Sequence, residues 1–152
     1  MMPITLHRLL IPAALTLSTL AAVGQTQSDP LAAAAAESGA VVTQSGLVYR
    51  SLKDGSGEGA SATDTVRVHY RGRFPDGREF DSSYSRGQPA SFPLNRVIRC
   101  WTEGVQRMKV GGKAKLTCPA AIAYGERGAG GVIPPNAILQ FEVELLGVVK
   151  GN

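Results

Sequence analysis

Two cysteines, two histidines and a single tryptophan are the scarce, chemically capable side chains of this 152-residue chain. Cys100 and Cys118 are far from the C-x-x-C spacing of a thiol redox pair, and with two histidines there are too few ligands for a zinc finger or a His-rich metal site. No phosphate-loop motif and no H-E-x-x-H helix is present. Gly55, Gly57 and Gly59 lack the third glycine of a dinucleotide fingerprint. The Gly-rich run from Gly125 to Gly131 leads into Val132-Ile133-Pro134-Pro135 rather than a helix, so it lacks the N-terminus that phosphate loops use. His69 alternates with Arg67 and Arg71 on the outward side of its segment, which reads as a solvated strand residue and argues against a Ser-His-Asp triad. What remains is a group of rings. Tyr70, Phe74, Phe80, Tyr84, Phe92, Trp101, Tyr124 and Phe141 are all the Tyr, Phe and Trp of the chain except Tyr49. Aromatics fill any core, but a buried Tyr hydroxyl needs a partner, and Asp81 directly after Phe80 offers one beside an apolar pocket. The chemistry to expect is binding by apolar surface with a small polar edge. No cofactor or metal is called for.

Those rings must be positioned by a sheet and one helix. Val66, Val68 and Tyr70 alternate with Arg67, His69 and Arg71, the period-two pattern of a half-buried strand. Phe74-Pro75-Asp76-Gly77-Arg78 is a turn, Pro setting one central angle and Gly taking positive φ. Ser91 to Leu94 is a shorter apolar segment. Val97, Ile98, Trp101, Val105 and Met108 recur at helical spacing, with Gly111-Gly112 as the stop and Gly104 costing about 1 kcal/mol inside the helix. Ala114, Leu116 and Cys118 form one face of a further strand. Leu139, Phe141, Val143 and Leu145 oppose Gln140, Glu142 and Glu144 in the last. The fold class is α+β, a twisted antiparallel sheet with a short helix on its apolar face.

Sixteen Lys and Arg against 12 Asp and Glu leave a formal charge of +4 shared between both signs, which argues against nucleic acid as the main partner. The N-terminus has the three parts of a secretory signal peptide over 1–24: a basic start, an apolar run from Leu9 to Leu20, and Ala22 and Gly24 as small residues at the cleavage point. The apolar run of about twelve residues falls short of the roughly 20 that span a bilayer, so no stable membrane insertion is expected after processing. An exported protein, periplasmic or secreted, follows, in which a disulfide is chemically allowed. Residues 25–40 read as an Ala-rich linker, partly helical or a short docking helix with only Leu31 as a large apolar residue. Residues 41–150 form one domain.

Six segments in register then carry a resemblance. They are Val68-His69-Tyr70-Arg71-Gly72, Gly77 to Ser83, Val97 to Gly104, Met108 to Gly112, Ala123-Tyr124-Gly125 and Ile133 to Ala137. From Val42 to Val148 the chain resembles the FKBP-type peptidyl-prolyl cis-trans isomerases. The resemblance implies a half-barrel wrapped around the helix. It also implies a proline pocket with Trp101 as floor and Tyr70, Phe80, Phe92, Val97, Ile98 and Phe141 as walls. Position by position it makes Tyr124 and Asp81 the catalytic residues, Tyr124 as the hydroxyl that holds a ligand carbonyl and Asp81 as the carboxylate beside it, with the Ile98 backbone N–H a further donor and Ile133 the edge of a covering loop. Phe74 and Tyr84 have no assigned counterpart and are expected to be structural. The expected partners are proline-containing polypeptides, with macrolides of the tacrolimus and rapamycin type as inhibitors, and the short N-terminal segment points to a monomer. A binding or chaperone module using the same pocket is the other reading.

Against that resemblance, Ala90 and Ala129 shave the rim of the pocket, and Cys100 stands where glycine is common. With Cys118 near the end of the returning strand, the two thiols either join as a disulfide bracing the floor, worth about 3 kcal/mol by loop closure, or remain two buried apolar thiols. The basic residues Arg67, Arg71, Arg73, Arg78 and Arg86 form either an interaction surface or a solvated sheet edge.

Overall fold

The computed structural model describes residues 29–152, so the signal peptide expected over 1–24 lies outside the described residues. The chain forms α1 (Pro30–Ala35), β1 (Ala40–Val42), β2 (Val48–Lys53), β3 (Thr65–Arg73), β4 (Glu79–Ser82), β5 (Ala90–Pro93), α2 (Arg99–Gln106), β6 (Lys113–Cys118) and β7 (Leu139–Val149). The strands make one antiparallel sheet in the order β1-β2-β6-β7-β3-β4, with β5 also pairing β3. Strands β3 and β7 run side by side at its centre, Tyr70 opposite Val143 and Gly72 opposite Phe141. Their apolar residues share one face: Val66, Val68, Tyr70, Leu139, Phe141, Val143 and Leu145 are all buried, while Gln140, Glu142 and Glu144 between them are half-buried. That is the period-two rule expressed on a sheet with one covered side.

Helix α2 covers that face. Cys100, Trp101, Gly104 and Val105 are its buried residues, a stripe one turn long repeated once, as an amphipathic helix requires. Gly104 is a packing residue. A methyl group there would stand 2.7 Å from Leu116 Cδ2, so the bare backbone lets the helix settle onto β6. The helix closes at Arg107, earlier than the Gly111-Gly112 stop expected from the sequence. Gly111 instead takes φ 93° in the turn into β6 and donates its N–H to the Leu145 carbonyl at 2.9 Å. The other turn matches its expectation: Gly77 has φ 92° and donates to the Phe74 carbonyl at 2.9 Å.

The described part of the Ala-rich segment holds a short helix, α1, as its composition allows. Asp29 caps α1 by accepting the Leu31 N–H, Pro30 occupies the first turn, and Ala34 is buried. Just beyond the helix, Glu37 accepts from Arg50 at 2.6 Å on β2 and from Lys115 at 2.7 Å on β6. Two ion pairs therefore anchor a helix that has little apolar surface of its own. At the other end of the sheet, Asp64 is only 2% exposed and accepts from the backbone N–H groups of Ser61 at 2.8 Å and Gly151 at 3.0 Å, and from Lys150 at 3.2 Å. These donors hold its carboxyl well below the ordinary carboxylate range, backbone N–H groups first. Asp64 thereby clamps the C-terminal residues beside the start of β3.

Candidate functional site

A cavity of about 470 Å³ opens between α2 and the sheet, lined by Tyr70, Phe80, Asp81, Phe92, Arg96, Val97, Ile98, Trp101, Tyr124 and Phe141. Each element sends a residue or two: Tyr70 from β3, Phe80 and Asp81 from β4, Phe92 from β5, Trp101 from α2 and Phe141 from β7, with Val97 and Ile98 leading into the helix and Tyr124 following β6. Convergence from five elements and the segments between them is possible because Gly72 has no side chain. A methyl group there would lie 2.6 Å from Phe80 and 3.0 Å from Phe141.

Trp101 forms the floor and is 4% exposed. Three rings meet it edge to face: Tyr70 at 5.2 Å and 84°, Phe92 at 5.6 Å and 86°, Phe141 at 5.4 Å and 89°. Phe80 meets Phe141 in the same way at 5.6 Å. Edge-to-face contact places the positive ring edges on the electron-rich face of their neighbours, so the rings lock one another at fixed angles. The result is a rigid apolar wall.

The polar edge is a closed triangle. Tyr70 Oη donates to Asp81 Oδ2 at 2.5 Å, Arg86 Nη1 donates to Asp81 Oδ1 at 2.7 Å, and Arg86 Nη2 donates to Tyr70 Oη at 2.8 Å. Burial pushes the Asp81 carboxyl up, but the hydrogen bonds from Tyr70 and Arg86 outweigh it and leave it below its ordinary value. Burial, and then the bond to Asp81, pushes the Tyr70 hydroxyl up. Asp81 is therefore an acceptor with its lone pairs committed, held ionised at neutral pH, and ill-suited to proton transfer. Tyr124 is 41% exposed and lines the cavity.

Of the expected site residues, the catalytic pair Asp81 and Tyr124 and the binding residues Tyr70, Phe80, Phe92, Val97, Ile98, Trp101 and Phe141 all line this cavity. Ile133 is not among its lining. It is 6% exposed in the core, bridged to Ala129 within its own loop. Phe74 packs on Phe80 at 5.0 Å and supports the wall from behind. His69 is not the solvated residue its alternation implies: it is half-buried, stacks on Tyr84 at 4.6 Å, and shares a 2.9 Å hydrogen bond with Ser83 Oγ. Tyr84 supplies the covering ring, which period-two reading of β3 alone does not reveal. Two residues escaped the sequence reading as site residues. Arg86 stood only as one of a run of arginines, and Arg96 carried no signal beyond its position before Val97-Ile98. Beneath the floor, Cys100 and Cys118 are both fully buried and paired sulfur to sulfur, with Cα atoms 5.9 Å apart.

Residues 57–146 match the FKBP-type peptidyl-prolyl cis-trans isomerase family. The chain is 56% identical over 120 residues to the FKBP-type peptidyl-prolyl cis-trans isomerase FkpA of Aeromonas hydrophila, covering 79% of this chain and 44% of that protein. It is 53% identical over 107 residues to the FKBP-type 22 kDa peptidyl-prolyl cis-trans isomerase of Escherichia coli K12, covering 70% and 52%. Among solved structures, FkpA of Escherichia coli superposes with a TM-score of 0.76 at 48% identity, over 78% of this chain and 55% of that one. A peptidyl-prolyl cis-trans isomerase of Pseudomonas syringae superposes with a TM-score of 0.75 at 39% identity, over 80% and 89%. The chain belongs to the FKBP-type peptidyl-prolyl cis-trans isomerase family. It spans about half the length of the curated relatives it matches.

Proposed function

We propose that this chain accelerates cis-trans isomerisation of X-Pro bonds in exported polypeptides. The observation that carries the reading is the 470 Å³ cavity whose floor and walls are locked aromatic rings and whose one carboxylate is already bound by Tyr70 and Arg86. An X-Pro bond turns over a barrier of about 20 kcal/mol because the amide loses its resonance on twisting. A planar amide is more polar than a twisted one, so an environment that replaces water by ring faces favours the twisted state without acid, base or nucleophile. Each tenfold of rate needs only about 1.4 kcal/mol of that difference. The proline ring lies over Trp101; Tyr124 and the Ile98 N–H donate to carbonyls of the bound chain; the Tyr70-Asp81-Arg86 triangle fixes the polar edge. Macrolides of the tacrolimus type compete for the same cavity. The protein works as a monomer in the periplasm after removal of 1–24. No cofactor takes part.

The test is the exchange rate of a short X-Pro peptide by NMR, with the purified chain present and with tacrolimus added. Acceleration that tacrolimus abolishes supports the proposal. A folded chain that binds tacrolimus yet leaves the exchange rate unchanged would make the cavity a peptide-holding site, the chaperone reading.

A further inference from the structure

Among the lining residues of the cavity, two groups carry a positive or negative charge at the rim: Asp81 and Arg96. They differ in partners. Asp81 is neutralised by Arg86 at 2.7 Å and accepts from Tyr70 as well. Arg96 is exposed and takes part in no ion pair among the described residues. The mouth of an otherwise uncharged cavity therefore carries one uncompensated cation.

Its anchorage is firm. Arg96 ends a single 3₁₀ turn, Leu94–Arg96, whose first residue is fully buried. Leu94 donates its N–H to the Asp64 carbonyl at 2.9 Å, and Thr102 Oγ1 donates to the Leu94 carbonyl at 2.6 Å from within α2. The backbone is thus tied to the residue before β3 and to α2, while the exposed side chain lines the cavity. Arg96 also sits two residues before Ile98, and both line the cavity. A guanidinium is planar, permanently charged and able to grip a carboxylate with two parallel N–H bonds.

We infer that Arg96 is a specificity-determining residue that selects prolyl bonds flanked by an acidic side chain, Glu or Asp, adjacent to the proline. The inference rests on the isomerase reading above. The attraction adds to the apolar grip on the proline ring and acts on peptide binding, so it appears in kcat/KM.

The experiment compares isomerisation of Ala-Glu-Pro-Phe, Ala-Gln-Pro-Phe and Ala-Lys-Pro-Phe peptides, and of the isomers with Glu, Gln or Lys after the proline, by the full chain and by R96Q and R96E. The expected wild-type preference for Glu over Gln on at least one side is about two- to fivefold at low salt, the size of one partly exposed ion pair. It disappears in R96Q, turns into a preference for Lys in R96E, and collapses in 1 M salt, where the screening length is about 3 Å. Acceleration of every peptide with the same Glu-to-Gln ratio in wild type and R96Q overturns this inference and leaves the isomerase reading standing. Failure to accelerate any of them overturns the isomerase reading, and this inference with it.

Discussion

Tyr70 joins the two halves of the site: its ring edge packs on Trp101 at 5.2 Å while its hydroxyl donates to Asp81 at 2.5 Å. The same side chain therefore sets the floor and aims the carboxylate. Tyr70→Phe keeps the ring and removes the hydroxyl, leaving Asp81 with Arg86 alone. Because Asp81 is partly exposed, the expected loss of stability is modest, about 1 kcal/mol in urea unfolding. Isomerase kcat/KM should fall less than tenfold. A collapse of folding in this variant would show that the hydroxyl has a structural task beyond Asp81.

Gly104 separates two effects of opposite sign. Alanine gains about 1 kcal/mol of helix propensity over glycine. Its methyl group would lie 2.7 Å from Leu116 Cδ2 and 2.8 Å from Cδ1, and overpacking of this kind costs typically about 1–3 kcal/mol. Gly104→Ala should therefore be destabilised in urea unfolding, and the floor residue Trp101, on the same helix, should shift its fluorescence. A stabilised variant would mean that α2 can lift from β6 without cost.

Cys100 and Cys118 close a loop under the floor. The purified chain, denatured without reductant, should show no free thiol on titration. Both residues are fully buried, so mild reductant should leave the folded protein intact. The Cys100→Ser, Cys118→Ser double variant should lose about 3 kcal/mol of stability, the loop-closure value for a span of this length. Two free thiols per untreated chain would rule the bond out.

Acid should weaken the fold through Asp64 and Asp81. Both carboxyls lie below their ordinary value of 3.8, so the folded state holds fewer protons than the unfolded chain. Their contribution is complete above about pH 4 to 5 and is lost as pH falls through the lowered folded values. Asp64→Asn should flatten that part of the stability profile and free the Lys150–Gly151 end of the chain, measurable as faster hydrogen exchange at Gly151. An unchanged acid limb would place the sensitivity elsewhere.

How far the sequence discloses this molecule depends on the range of the interaction. The β7 alternation from Leu139 to Leu145 and the helical recurrence of Trp101 and Val105 are local and were readable, because burial on one face leaves its period in the chain. The aromatic lining was implied by the family resemblance that six motifs in register carry, not by periodicity. Contacts between distant segments left no such trace. Arg86 reaches Tyr70 from 16 positions away, Tyr84 covers His69 from 15 positions away, and Gly104 looked like a helix weakness because Leu116 lies on another strand. The segment 25–40 looked too poor in apolar residues to dock. In its described part, from Asp29 on, the anchorage comes from Glu37, whose partners Arg50 and Lys115 are fixed only once the sheet has formed.

The most direct test of the central claim is the cis-to-trans rate of a Leu-Pro peptide, at concentrations far below KM, catalysed by the full chain between pH 5.5 and 8.5. A cavity that works by apolar surface and fixed hydrogen-bond donors should accelerate the reaction with kcat/KM constant across that range. Asp81 titrates below it, and Tyr70 above it. A bell-shaped profile would contradict the mechanism by revealing an acid or base at work, and no acceleration by the folded chain would contradict the function itself.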